Sequence, residues 1–249
     1  MPLAEPSVES KVLADGVLKL SSPIRIAPNP GTLADLFIKW CEQYQPRVAI
    51  AEKDATGQFV ALTYGDAILQ ARAVAAQLIA LGGGQGTPLI ILSGASRAHF
   101  VLIWGAILAG VPYVPVSGNY ARVPAAFGKL KAVFDKTKPR FVWSENYDPQ
   151  REGLIATGLS DAPLIWLGVD APRHSIALDF ESEGEAFESV DRRILTLNHD
   201  IIARYMFTSG STGSPKGVIH THGMIMTMLA ARAALGEDEP DAAPPRVLD

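Results

Sequence analysis

The residue pattern predicts an α/β fold in which mixed or parallel sheets are flanked by helices. Three observations carry that expectation. Segments with apolar residues at helical spacing alternate with short apolar runs along most of the chain. Pro88 to Leu92 is continuously apolar, as in a strand buried on both faces. A helix pattern that opens at Ser96 and closes at Gly110 joins that run to a second one, Val111 to Val116. Strand, helix and strand in that order predict a parallel pair with a right-handed crossover.

Residues 1–30 form a lead-in segment, and Pro23, Pro28 and Pro30 predict an extended path over the surface. The remainder, 31–249, is expected to be one partial domain. Thr32 caps a helix over Leu33 to Tyr44, with Leu33, Leu36, Phe37 and Trp40 on one face. Strands follow at Val48 to Ala51 and Phe59 to Leu62, with a turn at Asp54 to Gly57. Thr63 caps the next helix, in which Ile68, Ala71, Ala75, Leu78 and Ile79 recur at helical spacing; Gly82 to Gly84 stop it. In the helix after Ser96, Phe100, Ile103, Trp104, Ile107 and Leu108 are expected to face inward. A further helix is predicted over Pro124 to Lys136, then strands at Arg140 to Trp143 and Leu164 to Leu167. Ala171 to Asp200 is polar and acidic, and reads as a long surface connection, its run Glu181 to Glu188 as a solvated loop. A strand at Ile201 to Phe207, a loop, a strand at Val218 to Thr221 and an apolar helix to Leu235 complete the series.

With 48% hydrophobic and 19% charged residues in a chain of 249, a sizeable buried core is expected. The net charge of -4 and the lack of a basic block argue against nucleic-acid binding. Cys41 is the single cysteine, which excludes an intrachain disulfide framework and a cysteine-based metal site. In its helical pattern it reads as a buried, inert thiol, in keeping with a cytoplasmic protein. Met1 to Ser22 carries Glu5, Glu9 and Asp15 and no long apolar core, so it does not read as a signal peptide. Phe100 to Val116 is the most apolar stretch, but Gly110, Pro112 and Pro115 interrupt it short of the roughly 20 residues of a membrane helix.

The stretch that carries chemistry is Tyr205-Met-Phe-Thr-Ser-Gly-Ser-Thr-Gly-Ser-Pro-Lys-Gly-Val-Ile219. Gly210, Gly213 and Gly217 permit backbone conformations closed to other residues, and Thr208, Ser209, Ser211, Thr212 and Ser214 add hydroxyls. Consecutive backbone N–H groups in such a loop form an anion-binding concavity, and Lys216 supplies a mobile point charge suited to phosphate. A Walker A loop needs Gly-Lys followed by Ser or Thr at the start of a helix. Here Pro215 precedes the lysine, Gly217 follows it, and Val218 and Ile219 read as a strand. The pattern is strand, loop, strand.

Thr208-Ser-Gly-Ser-Thr-Gly-Ser-Pro-Lys-Gly217 resembles the phosphate-binding signature of the adenylate-forming superfamily: acyl-CoA synthetases, adenylation domains of peptide synthetases, and luciferases. Leu62-Thr-Tyr-Gly-Asp-Ala67 and Leu108-Ala-Gly-Val-Pro-Tyr-Val-Pro-Val116 resemble two earlier motifs of that group, in the right order. Gly118-Asn-Tyr120, Phe127-Gly-Lys-Leu130 and Phe134-Asp135 look most like feruloyl-CoA synthases. The resemblance covers about residues 30 to 235 and implies the N-terminal part of the large domain of such an enzyme. It implies ATP with Mg2+, a small carboxylic acid, and coenzyme A as co-substrate. The carboxylate attacks the α-phosphorus to give an acyl-adenylate and pyrophosphate, and a thiol then displaces AMP. Thr208, Ser209, Gly210, Ser211, Thr212, Gly213, Lys216 and Gly217 match the positions that grip the β- and γ-phosphates, with Lys216 stabilising pyrophosphate without covalent chemistry.

Complete enzymes of that group are much longer, and the resemblance implies several motifs beyond Asp249. These are an aromatic-rich motif near the acyl pocket, a Thr-Glu that places adenine and magnesium, a ribose-gripping aspartate, a hinge and a C-terminal lysine. Asp170, Asp191 and Asp200 all precede the loop and do not match the ribose aspartate. The chain is therefore expected to be the N-terminal portion of a ligase, unable to complete adenylation alone, with apolar sheet edges left exposed. Two other classes stay open: a noncatalytic nucleotide- or protein-binding module derived from a ligase, and a P-loop-type ATPase or phosphotransferase, which Pro215 and Gly217 disfavour. His220-Thr-His222 lacks a third ligand, so no metal site is expected. His222 is a candidate neighbour of the acyl or nucleotide site. The four tryptophans, Trp40, Trp104, Trp143 and Trp166, are expected to pack in the core.

Overall fold

A computed structural model of the chain describes residues 7–26, 31–168, 175–181, 186–208, 215–235 and 247–248. In chain order, strands β1 (Glu9–Val12) and β2 (Leu18–Ser21) precede helix α1 (Leu33–Gln43), strands β3 (Val48–Lys53) and β4 (Phe59–Thr63), and helix α2 (Tyr64–Ala80). Then come β5 (Leu89–Leu92), α3 (Arg97–Leu108), β6 (Tyr113–Val116), the short α4 (Asn119–Arg122), α5 (Phe127–Thr137) and β7 (Phe141–Ser144). They are followed by α6 (Arg151–Ala156), β8 (Ile165–Leu167), β9 (Ser175–Ile176), α7 (Ala186–Ile194), β10 (Ile202–Thr208), β11 (Lys216–Thr221), α8 (His222–Leu235) and β12 (Val247–Leu248).

Among the described residues the main sheet has seven strands in the order β11-β10-β6-β5-β7-β8-β9. All neighbours in it are parallel except β10 and β11. Period-two alternation divides its side chains between two helical layers. Leu89, Ile91, Tyr113, Phe141, Trp143 and Leu167 join a cluster with α1, α2 and α3. Ile90, Leu92, Val114, Val116, Val142 and Trp166 join a second cluster with α4, α5 and α6. All four residues of β5 are fully buried, as its unbroken apolar run predicts. A smaller sheet, β12-β3-β4, lies apart from it. Glu52 at the end of β3 accepts from Arg97 N at 2.7 Å and from Arg97 Nε at 2.9 Å, tying that sheet to the start of α3.

The predicted caps form. Thr32 and Asp35 make a reciprocal capping box, with Asp35 N donating to Thr32 Oγ1 at 3.3 Å and Thr32 N to Asp35 Oδ2 at 2.6 Å. Thr63 and Ser96 accept from the amides of Asp66 and His99, each at 3.1 Å. Phe37 of α1 stacks on Trp104 of α3 at 4.1 Å, which covers the outer apolar face of α3. Cys41 is buried, and burial pushes its thiol up to about 12, which suppresses thiolate chemistry at neutral pH. Helices α2 and α3 cross at Gly105, where a Cβ would stand 2.6 Å from Val74 Cγ1. Gly105→Ala is expected to cost about 1–3 kcal/mol through overpacking, read as a lower urea midpoint at unchanged slope.

The structure departs from the sequence reading in four places. The lead-in is not simply extended: β1 and β2 pair antiparallel, with Val12 opposite Leu18. Asp15-Gly16 between alternating apolar residues is a hairpin signal that the prolines obscure. Pro124 to Ala126 forms a separate 3-10 turn, so the helix predicted from Pro124 begins at Phe127 and is preceded by α4. Helix α6 has no counterpart in the sequence pattern; its six residues are too few for a periodic signal.

The largest correction concerns residues 171–200, expected to be a long surface connection. They contain β9 and α7. Val190 is fully buried under α7, and Arg72 of α2 reaches Asp191 at 2.7 Å and covers the Phe187 ring at 4.8 Å. The charged residues that suggest a loop are the outer face of an amphipathic helix. Of the acidic run, 182–185 lie outside the described residues, and Glu188 faces Arg192 one turn on at 3.4 Å.

Candidate functional site

The strands β10, β6, β5, β7 and β8 run in one direction, so the segment that follows β10 leaves the sheet at its carboxyl edge. In open α/β sheets that edge is where ligands bind. The start of β10 is held by Gln85, whose side chain stands in for a neighbouring strand. Gln85 Oε1 accepts from Ile202 N at 2.8 Å, and Gln85 Nε2 donates to Ile202 O at 3.2 Å. Farther along, Tyr205 and Phe207 pack against the α4–α6 layer.

β10 and β11 are antiparallel, and the ladder closes with Thr208 directly opposite Lys216. Both residues are exposed. The two predicted strands are therefore present and paired, and Lys216 begins a strand where a Walker A lysine would begin a helix. Ser209, Gly210, Ser211, Thr212, Gly213 and Ser214 lie outside the described residues. Gly217 is described. It has no left-handed backbone. It sits opposite Phe207, and a Cβ there would lie 3.2 Å from Phe207 Cε1, so glycine makes room for the ring. Among the described residues Lys216 forms no ion pair, which leaves its charge available for an anion.

A second lysine reaches the residue just before β11. Lys136, in the last turn of α5, donates from Nζ to the carbonyl of Pro215 at 2.5 Å. Nothing in the sequence pairs these residues, which stand 79 positions apart.

The structure places His222 at the far end of β11 from Lys216, about 20 Å along the chain at the usual rise per residue. It is fully enclosed. Its Nδ1 accepts from Leu33 N at 3.3 Å, satisfying one of the free amides at the start of α1. Burial pushes its pKa down to about 4, against the opposing pull of Asp35. His220 points elsewhere: its Nδ1 accepts from Arg204 Nε at 3.0 Å, and burial and the Arg204 charge both lower its pKa. No group of three metal-ligating side chains occurs among the described residues. Nor is any helix among them long and apolar enough to cross a membrane.

Comparison with known proteins identifies the family and the fold. The L-proline--[L-prolyl-carrier protein] ligase of Streptomyces coelicolor is 27% identical over 206 residues, covering 80% of this chain and 37% of that protein. The uncharacterized acyl--CoA ligase YtcI of Bacillus subtilis is 24% identical over 208 residues, covering 84% of this chain and 37% of its own. The chain thus spans well under half the length of these curated relatives. Among solved structures, McyG A-PCP complexed with phenylalanyl-adenylate superposes with a TM-score of 0.63 at 19% identity, over 84% of this chain and 31% of the other. Fatty acyl-adenylate ligases from E. coli and L. pneumophila give a TM-score of 0.63 at 22% identity, over 88% and 37%. The α/β architecture is that of the N-terminal domain of adenylate-forming enzymes. The sequence profile of AMP-binding enzymes matches residues 37–244, and the chain belongs to that AMP-binding, adenylate-forming family.

Proposed function

We propose that the β10–β11 hairpin grips the β- and γ-phosphates of ATP in the activation of a carboxylic acid. The observation that carries this is the pairing of Thr208 with an uncommitted Lys216 at the carboxyl edge of the parallel sheet. Thr208, Ser209, Gly210, Ser211, Thr212, Gly213 and Gly217 line the phosphate cradle with hydroxyl and amide donors, and Lys216 balances charge as pyrophosphate leaves. Mg2+ enters with the nucleotide, whose phosphate oxygens are its hard ligands. The carboxylate oxygen bonds to the α-phosphorus, the bond to pyrophosphate breaks, and an acyl-adenylate forms. A thiol then takes the acyl group and releases AMP.

For the second step we favour coenzyme A, and for the acid a hydroxycinnamate such as ferulate, on the motifs around Gly118 and Phe127. Relatives differ at the second step, one being named for a carrier protein and the other for CoA. In the fold, Gly118 and Phe127 serve packing: a Cβ at Gly118 would lie 2.9 Å from Gln150 Nε2, and Phe127 lies against Gly153.

The test is calorimetric titration of the 249-residue chain with MgATP. Wild type is expected to bind, and Lys216→Ala to weaken binding by about tenfold, the loss of one charged contact to phosphate. Equal affinity in the two proteins would refute the phosphate role. Carboxylate-dependent exchange of labelled pyrophosphate into ATP separates catalysis from nucleotide binding alone.

A further inference from the structure

We propose that Lys136 is a positioning residue for Lys216 and contributes a second positive charge to the polyphosphate site. This rests on the phosphate reading of the hairpin given above.

Pro215 is buried, whereas Lys216, Gly217, Val218 and Ile219 after it are exposed. It is the anchor of the strand at the point where the chain re-enters the sheet. Proline has no N–H, so its carbonyl is its sole backbone hydrogen-bonding group. That carbonyl lies just beyond the last ladder pair, Thr208 and Lys216, and its partner is the Lys136 ammonium at 2.5 Å. The peptide unit is planar, so fixing the Pro215 C=O also fixes the N–H of Lys216 and the direction in which β11 starts.

Lys136 projects from a rigid platform. Leu130, Val133 and Phe134 of α5 are buried in the layer that also contacts Tyr205 and Phe207. Thr137 Oγ1 donates back to Val133 O at 2.9 Å, and Lys138 closes the helix in a left-handed conformation, donating to Phe134 O at 2.8 Å. The neighbouring carboxylate, Asp135, is engaged by Lys131 at 2.7 Å. Among the described residues no carboxylate pairs with Lys136, and its ammonium sits on the carbonyl that immediately precedes Lys216. One of its three N–H donors is used by Pro215, and two are left for phosphate oxygens. A lysine already ordered on a helix loses less entropy on meeting a polyanion than a free one does.

The test uses the 249-residue chain as wild type, Lys136→Met, Lys136→Gln and Lys136→Arg. Two quantities are measured: hydrogen exchange of a peptide covering 215–221, with 89–92 as the internal control, and calorimetric affinity for inorganic tripolyphosphate. Lys136→Met is expected to speed exchange at 215–221 and to weaken tripolyphosphate by roughly tenfold each, with no change at 89–92. Lys136→Arg, which keeps the charge and a donor, is expected to restore both, and Lys136→Gln the affinity least. Unchanged exchange in Lys136→Met overturns the tether. Faster exchange with unchanged affinity overturns the role in phosphate binding and leaves a structural bond. A wild-type chain that takes no tripolyphosphate, with the exchange difference intact, overturns the phosphate reading itself and the positioning role with it. If Lys136→Met loses protection everywhere, the comparison of Lys136→Gln with Lys136→Arg decides between these results.

Discussion

Arg193→Ala is expected to lower the unfolding free energy by about 3 kcal/mol, the loss of two charged hydrogen bonds in a partly buried site. Arg193 Nη1 donates to Gly83 O at 3.0 Å and to Ala109 O at 2.8 Å. These carbonyls follow α2 and α3, so one guanidinium joins the C-terminal ends of both helices, where their dipoles favour a cation. The alkyl stem adds packing, with Cδ 3.7 Å from the position of a Cβ on Gly110. Alanine leaves two carbonyls unpaired against the main core. Lysine is not an equivalent at this position: its shorter, flexible stem does not hold an ammonium where Nη1 meets both carbonyls, so Arg193→Lys should recover less than half of the loss. Urea unfolding of wild type and the two variants measures this. A loss below about 0.5 kcal/mol, the range of ordinary surface substitutions, would show that α7 is not docked as described.

Acidification is the second large effect, and His222 sets its direction. Its pKa is near 4 in the folded chain, against an ordinary value of 6.5. Between those values the unfolded chain binds a proton that the folded chain refuses, so stability rises with pH. The full contribution is present above about 6.5, is lost progressively on acidification, and levels off below about 4. Its size is roughly 3 kcal/mol. The groups facing the imidazole are Asp35, which favours the proton, and His199, which opposes it. His99 is also lowered by burial and adds in the same direction. The comparison is therefore between wild type and His222→Gln, which keeps an acceptor for Leu33 N but does not titrate. The stability of His222→Gln should fall less steeply between pH 6.5 and 4; parallel curves would exclude His222 as the source.

Both effects depend on residues whose sequence signals point elsewhere. Arg193 lies in a stretch that reads as loop because the stripe of Phe187, Val190 and Ile194 is hidden among charged and small residues. His222 reads as the junction of a strand and a helix, and nothing near it in the sequence shows what it bonds to. Its partner, Leu33 N, is 189 residues away. At Gly217 the structure adds a requirement that local spacing does not give, room for the Phe207 ring on the paired strand.

The sequence by itself determined the α/β class, the doubly buried strand β5, the caps at Thr32, Thr63 and Ser96, and the two strands on either side of residues 209–214. The caps and strands are written in residues close together in the sequence, where local sterics and hydrogen bonding suffice to specify them, and the class follows from their alternation along the chain. Only the tertiary structure decided which ends meet. Lys136 bonds to Pro215 across 79 positions, and Arg193 to Gly83 across 110. Such pairs follow from strand order and helix layering, which bring together groups that no local spacing relates.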